Sequence, residues 1–280
     1  MSAINSSVLG LLLEKVYRDG GYDFRDYKSG TVVRRLKRRL QATGTENYLD
    51  YMQFLDAHPE EYERLISSLT IAVSAFFRSK YSFQQLARLV LPKLLSHQIN
   101  QERRRLRFWS AACARGEEPY SIAILLAEFL GKRLGDFDIQ IYATDINQQL
   151  LKEAEAGVYP FGKPENLPEG TLEKYFIRSD QSYLVSASIR EMVYFSYFDL
   201  TSTTKPPFRE LDCIFCCNVL IYLQRQLQER LLGMLYEALA TPGYLILGEV
   251  ETPTDNLRER LKCLDGKARI YQKTTGGDDA

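Results

Sequence analysis

The chain has 280 residues, 45% of them hydrophobic and 26% charged, and its 36 Lys+Arg balance 36 Asp+Glu. That length suits about two domains, and a formal net charge of zero excludes a protein that grips nucleic acid over its whole surface. Two His and five Cys leave little for a His-based zinc site, a Ser-His-Asp triad or a secreted disulfide framework.

The first eighty or so residues carry helix periodicity. Leu9, Leu12, Leu13 and Val16 share one helical face. A second helix over about 30–42 places Val33, Leu36 and Leu40 inward and Arg34, Arg35, Lys37, Arg38 and Arg39 outward, with Gly44 as its C-cap. A third helix covers about 46–57 and a fourth runs from after Pro59 to Ser67. Residues 1–70 thus read as an all-α domain. Near residue 100 the texture changes. Strands at 106–109, 139–144, 213–217 and 244–247 alternate with helices at 117–130, 148–156 and 224–239, and Thr241-Pro-Gly243 reads as a turn before the last strand. Alternation of this kind predicts an α/β domain, residues 71–280, built on a mostly parallel sheet covered on both faces. Tyr183-Leu-Val-Ser-Ala-Ser-Ile189 and Met192-Val-Tyr-Phe195 have no helix between them, which predicts a small antiparallel β-insertion at about 172–196. No apolar run nears the roughly 20 residues of a membrane helix, and residues 8–13 are too short for a signal peptide. The sequence therefore reads as cytoplasmic, without membrane insertion.

In an open α/β sheet the ligand lies beyond the carboxyl ends of the strands. The first such loop is Ser110-Ala-Ala-Cys-Ala-Arg-Gly116, followed by Glu117-Glu-Pro-Tyr-Ser121. Its small residues, Ala111 and Ala112 among them, let a ligand approach the backbone closely. The second strand ends in Ala143-Thr-Asp145, and a carboxylate there can accept both hydroxyls of a ribose. The loop is not GxGxxG, and no GxxxxGK[ST] occurs, which disfavours nicotinamide and P-loop nucleotide chemistry. Each feature has a plainer reading: the loop as tight packing, Asp145 as a helix cap, the arginine face as solvated surface. Cys213, Cys216 and Cys217 read as small hydrophobes in a strand rather than as a metal site.

Taken together the motifs say more. Phe108-Trp-Ser-Ala-Ala-Cys-Ala-Arg-Gly-Glu-Glu-Pro-Tyr-Ser-Ile-Ala123, Tyr142-Ala-Thr-Asp-Ile-Asn147 and Cys213-Ile-Phe-Cys-Cys-Asn-Val-Leu-Ile-Tyr222 closely resemble the CheR family. Its members are S-adenosylmethionine-dependent methyltransferases that esterify glutamates on bacterial chemoreceptors. Ser74-Ala-Phe-Phe-Arg78 resembles the motif joining that family's helical and catalytic domains, and the resemblance spans residues 22–273. It implies a Rossmann-like methyltransferase sheet, S-adenosylmethionine as cofactor with S-adenosylhomocysteine as product, and no metal. By position it implies cofactor contacts at Ser74, Arg78, Glu118, Asp145, Asp199, Leu200 and Asn218, with Glu117 as a near neighbour. The family usually has Asn where this chain has Ala72 and Arg where it has Cys217, so a contact carried over to either position is a backbone contact.

The reaction so implied is attack of a carboxylate oxygen on a methyl group. A glutamate, with a reference pKa of about 4.3, is already ionised at neutral pH and needs no general base. Arg78 and Tyr222 are expected beside the methyl as orienting groups. The expected partner is the acidic methylation helices of chemoreceptors, met by Arg34, Arg35, Arg38 and Arg39. The insertion looks short and lacks a glycine-rich loop, so recognition independent of a C-terminal receptor peptide is expected, by a monomer that binds no nucleic acid. Two alternatives stay open: a non-catalytic CheR-like regulator that binds the cofactor or its product, and a methyltransferase with another acceptor.

Overall fold

Four helices open the chain: α1 (Ala3–Gly20), α2 (Ser29–Thr43), α3 (Tyr48–Ala57) and α4 (Glu61–Leu69). The computed structural model describes residues 3–70, 73–162 and 166–274. Leu9, Leu12, Leu13 and Val16 form one buried stripe of α1, as their spacing predicts, and meet Leu36, Tyr51, Leu55 and Leu65 in the core. α2 ends at Gly44, which takes the left-handed conformation (φ 70°) and donates its N–H to the Leu40 carbonyl. α3 begins at Asn47, whose side chain accepts from the N–H groups of Leu49 and Asp50. The inward face of α2 carries Val33, Leu36 and Leu40, as expected, and is wider than expected because Val32 joins it. Val32 and Leu36 are the buried pair, while Val33 and Leu40 are half-buried. The apolar stripe is broad, and Arg35 and Arg39, on the helical face shared by Val32 and Leu36, border the core instead of lying opposite it.

This helical unit comprises residues 1–72 and 222–228, and the second unit comprises 73–221 and 229–280. The second begins with a helical run that the sequence pattern did not separate: α5 (Lys80–Gln85), a π-helical turn (Leu86–Val90) and α6 (Leu91–Asn100). There follow β1 (Arg105–Ala111), α7 (Glu117–Leu130), β2 (Asp138–Asp145), α8 (Gln148–Ala156), β3 (Val158–Pro160), α9 (Thr171–Tyr175), β4 (Phe176–Arg178), β5 (Ser182–Val185), α10 (Ala187–Arg190) and β6 (Val193–Tyr197). The chain continues through β7 (Leu211–Cys216), α11 (Arg225–Ala238), β8 (Leu239–Leu247), α12 (Asp255–Arg258), β9 (Leu261–Asp265) and β10 (Ile270–Lys273). No helix among the described residues is long and apolar enough to cross a membrane.

The main sheet has seven strands in the order β6-β2-β1-β7-β8-β10-β9. β6, β2, β1, β7 and β8 run parallel, and β10 runs antiparallel to both of its neighbours. Phe108 to Ala111 are buried without alternation, as a strand covered on both faces requires. This is the expected Rossmann-like α/β sheet. Strand order reverses between β1 and β7, which opens a crevice at their carboxyl ends.

Two expectations need correction. The antiparallel insertion is the three-stranded sheet β3-β5-β4, spanning 158–185, and Met192-Val-Tyr-Phe195 is not part of it. That segment is β6, the parallel edge strand of the main sheet, paired with β2 from Ile141↔Val193 to Asp145↔Tyr197. An edge strand shows half-buried alternation just as a hairpin strand does, so the pattern alone does not separate them. The supposed turn at Thr241-Pro-Gly243 lies inside β8, where the pairing with β7 jumps from Leu211↔Leu239 to Cys213↔Tyr244. The chain bulges there. Gly243 is needed because a Cβ would stand 2.6 Å from the Ala240 carbonyl oxygen.

Candidate cofactor site

β1 delivers the chain into a loop of unusual backbone. Ala112 and Ala114 both have positive φ (66° and 49°), as does Gly116 (89°). Non-glycine residues in that region cost about 1–3 kcal/mol each, so neighbouring structure must enforce them. Cys113 N–H donates to the Thr144 carbonyl (2.9 Å), and Ala114 N–H donates to Asp145 Oδ2 (2.9 Å). Trp109, fully buried in β1, fixes the same β2 residue by donating from Nε1 to Thr144 Oγ1 (2.9 Å). Gly116 has no alternative, since a Cβ would lie 2.9 Å from Ala154 Cβ and 3.1 Å from the Tyr159 hydroxyl. Ala111 is buried and Ala112 half-buried, so the loop presents backbone rather than side chain.

Asp145 ends β2 and is buried. Its other oxygen, Oδ1, accepts from Asn147 N–H (2.9 Å), and Asn147 in turn caps α8. Ile146 N–H is a third backbone donor to this carboxylate, so of its roughly four acceptor positions about one remains for a ligand. Burial raises the Asp145 pKa against the pull of these backbone bonds. Phe198 N–H donates to the Asp145 carbonyl (3.2 Å), which brings the segment after β6 alongside. There Asp199 Oδ1 accepts from Thr201 N–H (2.8 Å) and hydroxyl (2.7 Å), and Leu200 is buried.

Glu118, in the first turn of α7, accepts from the Ser110 hydroxyl (2.6 Å) and from the Cys217 thiol. Burial pushes its pKa up to about 7, opposed by those two donors and by Arg78, and assisted by the nearby Glu251. Glu117 is fully buried and accepts from the Ser74 hydroxyl. Phe77 N–H donates to Ser121 Oγ (2.9 Å), so the segment 74–77 is tied to the first turns of α7. Arg78 is exposed and donates to the Val73 carbonyl (2.7 Å).

Cys217 and Asn218 leave β7. Asn218 has positive φ (61°), and its N–H donates to Glu251 Oε2 (2.8 Å). The same Glu251, 3% exposed, also accepts from Gly248 N–H (2.8 Å) and Ile221 N–H (3.2 Å). Sequence reading missed Glu251 and Ser110. Only spatial closeness reveals Glu251, which lies 33 residues from Asn218, whereas Ser110 stood in the loop motif as a small residue beside Glu118.

The structure thus gathers Ser74, Arg78, Ala111, Ala112, Glu117, Glu118, Asp145, Asp199, Leu200, Cys217 and Asn218 within the α/β unit. Tyr222 belongs to the helical unit, where its carbonyl accepts from Lys28 N–H (2.8 Å). Ala72 lies outside the described residues. Cys213, Cys216 and Cys217 are free, with burial pushing each thiol well up. No group of three metal-ligating side chains occurs among the described residues.

The four arginines expected on one outward face divide in two. Arg34 and Arg38 are exposed, with Lys37. Arg39 is half-buried, and its Nε and Nη2 donate to the two oxygens of fully buried Glu61, each at 2.8 Å. Arg35 is half-buried and donates to the Ser68 carbonyl (2.7 Å). Both of these reach α4, through Ser68 and Glu61.

A doubly wound sheet with a left-handed small-residue loop after β1 and carboxylates at adjoining strand ends is an architecture suited to a nucleoside-bearing cofactor. Comparison with known proteins narrows the class. Residues 8–70 match the CheR methyltransferase all-alpha domain, and residues 72–270 match the CheR methyltransferase SAM binding domain. The chain belongs to the CheR methyltransferase family. It is 36% identical to chemotaxis protein methyltransferase 2 of Pseudomonas aeruginosa, over 85% of this chain and 84% of that one. It is 32% identical to the chemotaxis protein methyltransferase of Borreliella burgdorferi, over 90% of each chain. It is 31% identical to that of Escherichia coli, over 89% of this chain and 85% of the relative. The protein is accordingly an S-adenosylmethionine-dependent methyltransferase of chemotaxis.

Proposed function

We propose that the protein methylates glutamate side chains of a chemoreceptor, forming methyl esters, with S-adenosylmethionine as donor. The observation that carries the site assignment is Glu118. It is a half-buried carboxylate held by neutral donors, a hydroxyl and a thiol, beside the left-handed loop and within the influence of Arg78. Such a group suits a sulfonium, a cation that needs a partner in a pocket of lowered dielectric. Asp145, buried at the end of β2 and oriented by backbone donors, suits the hydroxyls of a ribose, and the backbone at Ala111 and Ala112 leaves room for a flat ligand. Asp199, Leu200, Cys217 and Asn218 complete the proposed cofactor side, with Ser74 and Glu117 behind the loop.

The cofactor supplies a methyl group already activated toward attack. The acceptor carboxylate is ionised at neutral pH, so no residue of this chain must move a proton, and positioning remains as the main source of rate. Well-oriented reactions gain on the order of 7–11 kcal/mol that way. Arg78 is proposed to orient the acceptor carboxylate, and Tyr222 is proposed as a second orienting group on the family pattern. For the receptor, the exposed set Arg34, Lys37 and Arg38 offers a positive surface to acidic helices. Arg35 and Arg39 contribute by shaping α2.

The test is transfer of labelled methyl from S-adenosylmethionine to receptor cytoplasmic domains, followed by mild base. Base-labile label on receptor glutamates is the expected result. Cofactor binding without transfer would favour the regulator reading, which the Cys217 thiol at Glu118 motivates. Base-stable label would point to another acceptor.

A further inference from the structure

α11 and the segment between β6 and β7 enclose a groove of about 340 Å³. Small-molecule sites occupy roughly 300–1,000 Å³. Only Leu200 among its lining residues is shared with the cofactor side. Gly233, inside α11, forms part of the groove, and nothing lies within 4 Å of where its Cβ would stand. A glycine inside a helix costs about 1 kcal/mol relative to alanine, and packing does not demand this one. What its absent side chain leaves is space against the helix.

The chemistry of the walls is one-sided. Lys205, Arg209 and Arg230 line the groove, and Lys205 and Arg209 make no ion pair among the described residues. The one lining acid, Glu237, faces Arg260 at 3.7 Å. Apolar surface comes from Pro206, Met234 and Phe208, the last stacked on Tyr142 at 4.2 Å. Three cations beside an aromatic wall match a phosphate carried on a flat body, because guanidinium groups present paired donors to phosphate oxygens. A connection then runs toward the cofactor loops. Arg230 Nη2 donates to the Thr201 carbonyl, and the Thr201 N–H and hydroxyl hold Asp199 Oδ1.

We infer that this groove binds a small phosphate ester bearing a flat apolar body, about the size of a nucleoside monophosphate. Its occupancy alters affinity at the cofactor site through Arg230, Thr201 and Asp199. A phosphate that draws the Arg230 guanidinium inward weakens its hold on Thr201 and so frees Asp199 to shift.

The experiment uses the full chain, saturated with S-adenosylhomocysteine so that the cofactor loops are filled, and titrates phenyl phosphate and adenosine monophosphate by calorimetry. Saturable binding is expected, weakened about tenfold or more in Lys205→Glu/Arg209→Glu and when uncharged adenosine replaces the nucleotide. Gly233→Leu fills the groove while favouring the helix, and it should abolish binding with circular dichroism unchanged. In the reciprocal titration, phenyl phosphate should change the affinity for S-adenosylhomocysteine several-fold. The inference is overturned if neither phosphate binds the saturated protein, or if binding survives Gly233→Leu. Simple competition with S-adenosylhomocysteine, or unchanged affinity for it, overturns it too. None of these readouts depends on methyl transfer or on the identity of the acceptor.

Discussion

Glu61 in the helical unit and Glu118 in the α/β unit are both withdrawn from water, and they are held in opposite ways. Glu61 is fully buried and receives both arms of the Arg39 guanidinium at 2.8 Å, with the Tyr51 hydroxyl as a third donor at 2.8 Å. Glu118 is held by a serine hydroxyl and a thiol, neither of which carries charge, and its pKa rises to about 7. A carboxylate closed by a guanidinium is committed to structure. One closed by neutral donors is only part-ionised near neutral pH and can take its full charge when a cation arrives.

The largest effect that could break this contrast is on stability. Arg39→Ala leaves the buried Glu61 carboxylate with only the exposed Arg64, 4.0 Å away, as a counterion, and losing one partner of a buried pair costs about 3–5 kcal/mol. Urea unfolding followed by circular dichroism measures it, and a loss below about 1 kcal/mol would place Glu61 among weakly held groups. The next effect is on binding. Glu118→Gln should weaken S-adenosylmethionine by about 1.5–3 kcal/mol, the range for hydrogen bonds to charged groups, and spare the uncharged thioether product. Equal losses for both ligands in calorimetry would remove the charge argument.

The same group sets a pH dependence with a definite sign. Between its ordinary value of 4.5 and about 7, folded Glu118 holds more proton than the unfolded chain does. Its contribution to stability is therefore full below that window, declines as pH rises through it, and is level above about 7. Affinity for a cationic cofactor runs the other way, rising from pH 6 to pH 8 as Glu118 ionises. Glu118→Gln should flatten both profiles. The smallest stability effect is expected at the exposed arginines. Arg34→Glu/Arg38→Glu should change stability by only a few tenths of a kcal/mol, yet slow receptor methylation and reduce its salt dependence. Methylation indistinguishable from wild type across a salt series would leave that face as solvated surface.

What the sequence made legible was local. The Ser110–Gly116 loop, its carboxylate at Asp145 and the flanking helices at 117–130 and 148–156 are written in contiguous residues, and the helices appear at those bounds. What it hid was pairing over distance. β6 has the alternation of a hairpin strand, and only its neighbour β2 reveals it as a sheet edge. The Arg39–Glu61 pair spans 22 residues, so an arginine run reads as a uniform surface until α4 is placed against it. Glu251 sits in no motif that reading singled out, and its role depends entirely on where β8 brings it.

Glu251 also sets the mechanics of the crevice. Three amides, from Asn218, Ile221 and Gly248, converge on one carboxylate, so the loops that leave β7 and β8 share a single strut. Neither loop can swing outward without releasing the other. A glutamate side chain fixes their separation as a rivet fixes two plates, and the three amide protons should exchange with solvent in step. Any widening that admits or discharges a ligand then falls to the walls that Glu251 does not touch, the β1 loop and the segment that follows β6.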